Sequence, residues 1–74
     1  MMSRRITFES GKLGGKACVR GLRISVAQVL HMLASMTKEE IMENYPFLEP
    51  DDFSACLEYA SRRLEGEEVY PISA

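Results

Sequence analysis

Two arginines and a lysine stand together in the sequence Gly15-Lys16-Ala17-Cys18-Val19-Arg20-Gly21-Leu22-Arg23-Ile24. Lys16, Arg20 and Arg23 are the residues in this chain whose types and spacing point most directly to binding chemistry. A planar guanidinium grips a carboxylate or a phosphate through two parallel hydrogen bonds. Lying in a glycine-bounded extended segment, both arginines can be presented to an acidic partner protein or to nucleic acid. The same chemistry also serves an internal clamp, in which each arginine ties the segment to a helix carboxylate such as Glu39, Glu43 or Asp52. Both roles are open from the sequence. Arg4 and Arg5 read as a solvated tail, while Arg62 and Arg63 are explained by the negative end of a helix.

The remaining reactive side chains do not assemble into a catalytic set. Asp51-Asp52 and Glu67-Glu68 are adjacent in sequence, so their side chains diverge; they read as helix caps or solvated surface. His31 has no nucleophile or metal ligand at a useful spacing and reads as a surface or boundary residue. Cys18 and Cys56 form no CxxC pair and lack a histidine pair, whereas a zinc site needs about four ligands at tight spacing. They are expected to be two buried thiols in a reducing compartment. No catalytic, cofactor or metal site is expected, and the protein is expected not to be an enzyme.

The elements that must position these residues follow from periodicity. Ile6 and Phe8 alternate with polar neighbours as in a short half-buried strand. Three glycines between Ser10 and Gly15 make a loop. Lys16 to Ile24 reads as a second extended segment, broken at Gly21 by a bulge or a close backbone approach. From Ser25 the period changes to 3.6: Val26, Val29, Leu30, Leu33 and Ala34 form one helix face with Ser25 as N-cap. Thr37-Lys38-Glu39-Glu40 is a capping box, with Met36 and Ile41 placed for a hydrophobic staple. That helix must stop before Pro46. Pro50 suits the first position of a third helix, with Glu49, Asp51 and Asp52 at its positive end. Its expected buried stripe is Phe53, Cys56, Leu57, Ala60 and Leu64, and Gly66 is its expected stop. Leu48 and Phe53 form a second staple. The expected architecture is mainly α: a β arm over about 5–24, then helices over about 26–36, 38–45 and 50–65 in a helix-turn-helix arrangement. Residues 1–66 make a single domain, and 67–74 a polar tail with a Val69–Tyr70 contact.

At 74 residues a lone core supplies only about 3–5 kcal/mol. With neither disulfide nor metal in prospect, self-association, most simply a homodimer, is the expected source of further stability. Charge is unevenly distributed. Residues 1–23 carry six cations against one carboxylate, and residues 24–74 carry three against ten. A basic arm and an acidic body suggest a polyanion-facing arm or head-to-tail self-association. No stretch approaches the roughly 18 apolar residues of a membrane span, and residues 1–5 are too short and polar for a signal peptide. A cytoplasmic, prokaryotic protein is expected.

From Gly14-Gly15-Lys16 through Arg20-Gly21-Leu22-Arg23-Ile24, the chain resembles the domain-of-unknown-function 433 family, small prokaryotic antitoxin-like proteins. Thr37-Lys38-Glu39-Glu40-Ile41, Tyr45-Pro46-Phe47-Leu48 and Ala55-Cys56-Leu57-Glu58-Tyr59-Ala60 follow in the family's order, and the match runs over about residues 6–64. Ala17 and Leu22 replace the family's proline and threonine, and Glu49 stands where a Thr or Ser cap is common. The resemblance implies a homeodomain-like three-helix fold with an extended arm. It also implies a regulatory or antitoxin-like role, since some relatives are encoded beside PIN-type nuclease toxins.

The expected function is therefore non-enzymatic binding: docking a partner protein such as a PIN-type toxin, with DNA contact, if any, through the basic arm. The third helix is a poor DNA reader. A recognition helix meets bases with its N-terminal residues, and here that end presents Glu49, Asp51 and Asp52 to phosphates. The alternative is a self-associating structural or adaptor module without nucleic-acid binding.

Overall fold

The computed structural model describes residues 4–65. Two short strands, β1 (Ile6–Phe8) and β2 (Ala17–Val19), pair antiparallel with Ile6 opposite Val19, Thr7 opposite Cys18 and Phe8 opposite Ala17. A one-turn 3-10 segment, Leu13–Gly15, lies in the loop between them. Three helices follow: α1 (Val26–Leu33), α2 (Lys38–Asn44) and α3 (Pro50–Leu64). The expected β hairpin followed by a three-helix unit is the observed fold. The expected polar tail, the Gly66 helix stop and the Val69–Tyr70 contact lie outside the described residues.

Each helix start is built as its sequence dictates. Ser25 Oγ accepts from the Gln28 N–H at 3.0 Å. Thr37 and Glu40 form the reciprocal box: the Thr37 N–H donates to Glu40 Oε1 at 2.8 Å, and the Glu40 N–H to Thr37 Oγ1 at 3.1 Å. Two donors that a helix start leaves unpaired are thereby satisfied. Tyr45, with φ −130° and ψ 73°, ends α2 before Pro46, and Pro50 opens α3. The first helix is shorter than its apolar pattern suggests. The Ala34 and Ser35 N–H groups bond back only three residues, to His31 and Met32. This tightening turns the chain so that Thr37 can adopt the extended backbone of an N-cap.

The core gathers Ile6, Val19, Ile24, Val26, Val29, Ile41, Leu48, Phe53, Ala55 and Cys56. Both strands and all three helices contribute to it, and no helix this short is stable by itself. Cys18 and Cys56 are buried free thiols. Four positions depart from the apolar patterns, the first being Ala34, which follows the end of α1 and is exposed. Phe8 shares the face of Ile6 in the strand pattern but is 54% exposed, since the hairpin runs out past the core edge. Leu57 and Leu64 belong to the expected stripe of α3, yet both are about half exposed. The covered face of α3 runs through Asp52, Ala55, Cys56 and Tyr59, so Leu57 lies off it and Leu64 beyond it.

Phe53 is fully buried at the centre of this cluster. Phe53→Ala is expected to cost about 3–5 kcal/mol, comparable with all that a core of this size supplies. The variant should show no cooperative thermal transition by circular dichroism. Thr37→Ala, which removes one cap, should remain folded and lose about 1 kcal/mol.

Candidate functional site

The hairpin meets α3 through charge. β2 ends in a tight turn in which Arg20 and Gly21 both have positive φ, 47° and 70°, and the Leu22 N–H bonds to the Val19 carbonyl at 2.7 Å. Positive φ at both central positions is the pattern of a type I′ turn, matched to the twist of paired strands. The expected single extended segment over 16–24 is therefore a strand, a turn, and a return marked by the bridge between Cys18 and Ser25. Gly21 is enclosed: its N–H donates to Thr7 Oγ1 and its carbonyl accepts from Lys12 Nζ. A Cβ there would lie 3.0 Å from Glu9 Oε2.

Arg20, a bulky residue in the left-handed region, is held by what it grips. Its Nε and a terminal nitrogen donate to the two oxygens of Asp52 at 3.0 and 2.9 Å, and the same terminal nitrogen donates to the Phe47 carbonyl at 2.6 Å. Of its two open roles, Arg20 takes the internal clamp, on Asp52 and not on Glu39 or Glu43. Arg5, expected in a solvated tail, belongs to the same cluster. It donates to Asp52 Oδ1 at 2.8 Å and to Glu49 Oε1 at 2.7 Å, with Asp51 at 3.7 Å. The hairpin register puts it there, since the Arg20 N–H bonds to the Arg5 carbonyl at 2.6 Å. The sequence signal was available: Arg5 directly precedes β1, and Asp52 lies one helical turn before the buried Cys56.

Asp52 is fully buried and also accepts the Glu49 N–H at 2.8 Å, closing the start of α3. Burial by itself pushes its carboxyl up. The hydrogen bonds from Arg20, the Glu49 N–H and Arg5 outweigh that, and the carboxyl is held below the usual range. Both guanidiniums are pushed up, Arg5 first by its bond to Glu49 and Arg20 by its bond to Asp52. Burial, with the Asp52 charge, pushes the Cys56 thiol up to about 11. It is protonated at neutral pH and is no nucleophile.

The other two expected binding cations lie elsewhere. Arg23 and Lys16 are exposed and, among the described residues, have no ion-pair partner. Lys16 stands on an open groove of about 320 Å³ between β2, α1 and α3. Ala17, Val26, Leu30, Ala60 and Leu64 give the groove an apolar lining, with Tyr59 at one side and Arg63 beside it. Phe8 packs against Tyr59 with ring centroids 5.9 Å apart, extending the apolar face. Among the described residues no three His, Cys, Asp or Glu side chains are grouped to hold a metal. No helix there is long and apolar enough to cross a membrane.

A two-strand hairpin clamped by arginines to a three-helix unit defines a small, mainly α domain. Residues 6–60 match the family model described as protein of unknown function (DUF433), and the chain belongs to that family. Among solved structures it is similar to a DUF433 member protein from Anabaena variabilis ATCC 29413, with 31% identity and a TM-score of 0.73 over 85% of this chain. The match spans 63% of that longer chain. No curated protein matches.

Arg20→Ala is expected to destabilise the fold by about 3 kcal/mol. That is the lower end of the range for removing one partner of a buried charge, because Arg5 remains. Arg23→Ala should stay within about 0.5 kcal/mol of the parent. Urea titration of the two variants separates the roles. Asp52 also sets an acid limit. Its folded pKa is depressed, so its contribution is present above the unfolded value of about 3.9 and is lost as pH falls through the folded one. Urea midpoints measured from pH 7 down to 2 should hold to about pH 5 and then fall, with a smaller fall in Asp52→Asn.

Proposed function

We propose that this chain is a non-catalytic regulatory binding protein of the antitoxin type. In this reading it works in the cytoplasm by docking a partner protein, such as a PIN-type nuclease toxin, on the groove between β2, α1 and α3. The observation that carries this is the open apolar groove, continued by the exposed Phe8, in a domain with little apolar surface to spare. Contiguous exposed apolar surface on a small domain marks an interaction site. The buried carboxylate, the group that pKa tuning would recommend as catalytic, is fully engaged in holding the fold.

DNA contact is a lesser part of this reading. Arg5 and Arg20 are tied to carboxylates, and the start of α3 presents Glu49 and Asp51. On the arm, Arg4, Lys16 and Arg23 are left for phosphates. Neutralising three phosphates gives a salt slope of only about −3, so retention on DNA should be weak and lost at moderate salt. Self-association is favoured by a different observation: Leu57 and Leu64, two turns apart on α3, are both about half exposed. Such a stripe suits the same helix of a second copy, giving a homodimer.

The test uses Phe8→Asp, Leu64→Asp and Leu57→Asp. All three side chains are exposed, so melting should change little. Calorimetric titration with a PIN-type nuclease encoded beside this chain is expected to show binding that Phe8→Asp and Leu64→Asp each weaken at least tenfold. Binding untouched by both changes refutes the groove. A dimer in sedimentation equilibrium that Leu57→Asp dissociates, without nuclease binding, favours the structural module instead.

A further inference from the structure

Each of the three elements around the groove contributes an alanine to its lining: Ala17 from β2, Ala27 from α1 and Ala60 from α3. A longer side chain at any of them would fill the space. The lining spans about one helical turn. Val26 and Leu30 on α1, and Ala60 and Leu64 on α3, are each four residues apart, about 6 Å along the axis. The charges run against the composition of the helix that carries them. α3 holds three carboxylates, Asp51, Asp52 and Glu58, yet it brings none of them to the groove. The charged residues there are Lys16 and Arg63. Both are exposed, and neither has an ion-pair partner among the described residues. A second copy of the same face would bring like charges together, which costs free energy across an interface.

We propose that the groove takes one turn of an acidic amphipathic helix of a partner protein. Two large apolar side chains, four residues apart, enter it, and carboxylates beside them meet Lys16 and Arg63. The inference rests on the reading of the groove as a docking face and names the chemistry of what docks. A helix laid in an apolar groove is held by anchors three or four residues apart, and the one-turn span of the lining matches that spacing. Phe8, packed on Tyr59, extends the apolar wall on one side. The anchors supply the affinity, and the cations supply the choice of partner. Arg63 can grip a carboxylate through two parallel hydrogen bonds, and Lys16 acts as a point charge. An exposed ion pair is worth up to about fivefold in affinity. Two of them together select an acidic helix over an uncharged one by about tenfold, and a basic helix is rejected further by repulsion.

The experiment is a solution NMR titration of the full isotope-labelled chain with two synthetic helical peptides. Both carry the same pair of leucines four positions apart; glutamates flank the pair in one peptide and lysines in the other. The glutamate peptide is expected to shift the methyl signals of Ala17, Leu30 and Ala60 and to bind at least tenfold more tightly than the lysine peptide. That difference should shrink at 1 M salt, where the Debye length is about 3 Å. In the double variant Lys16→Glu/Arg63→Glu the order of the peptides should reverse at an unchanged melting temperature, since both side chains are exposed. A glutamate peptide that leaves these methyls unmoved at millimolar concentration overturns the proposal. So does one that binds no more tightly than the lysine peptide. The PIN-type nuclease separates this failure from that of the docking reading. If the double variant binds the nuclease as the parent does while Leu64→Asp weakens it, this inference fails and the docking reading stands. If the peptides obey the charges and no nuclease binds, the reverse holds.

Discussion

Burying a carboxylate in so small a domain is tolerable only because every part of its surroundings is arranged to answer it. Asp52 receives two guanidiniums and a backbone N–H. The desolvation that disfavours its charge is thereby outweighed. The partners come from three stretches of chain: Arg5 before β1, Arg20 in the turn after β2, and Glu49 at the start of α3. A hairpin of two three-residue strands is marginal in water alone. Here it is bound to the helical unit by its apolar residues Ile6 and Val19 on one side and by the arginine cluster on the other. A buried ion pair is often no more stabilising than an apolar replacement of the same shape. What this one supplies is placement: it sets where the turn sits against the Phe47 carbonyl and α3.

That placement decides what the surface can do. Much of the basic character of the first third of the chain is answered inside the molecule, by Glu9 for Lys12 and by Glu49, Asp51 and Asp52 for Arg5 and Arg20. The uneven charge therefore describes an internal joint more than a polyanion-binding arm or a head-to-tail assembly. The surface that is left for recognition is largely apolar. It lies where α3 outruns the core and where the hairpin carries Phe8 past it. Family membership agrees with this scaffold, but a fold hosts many functions. The functional reading accordingly rests on the groove and its cations.

Much of this architecture was legible in the sequence, because it depends on local chemistry. Ser25 and the Thr37–Glu40 box mark helix starts through hydrogen bonds that span three residues, and Pro46 and Pro50 mark limits through the proline ring itself. Ile6, Val26, Val29, Ile41, Phe53 and Cys56 announce their burial by period. Glycines between Ser10 and Gly15 announce the loop. These signals need no knowledge of what lies across the fold, and they placed the hairpin and all three helices in order.

Tertiary structure alone decided the rest. Arg5 and Arg23 are alike as sequence, yet one is locked to α3 and the other lies in solvent, since only strand register brings residue 5 beside residue 20. Leu57 and Leu64 fit the stripe of α3 as well as Cys56 does. Which face is covered depends on the elements packed against it, and here they take Asp52, Ala55, Cys56 and Tyr59 and leave Leu57 and Leu64 outside. Asp51 and Asp52 are chemically the same residue one position apart, one exposed and one fully buried. A helix turns about 100° per residue, and which of the two faces inward is set by the elements packed against it.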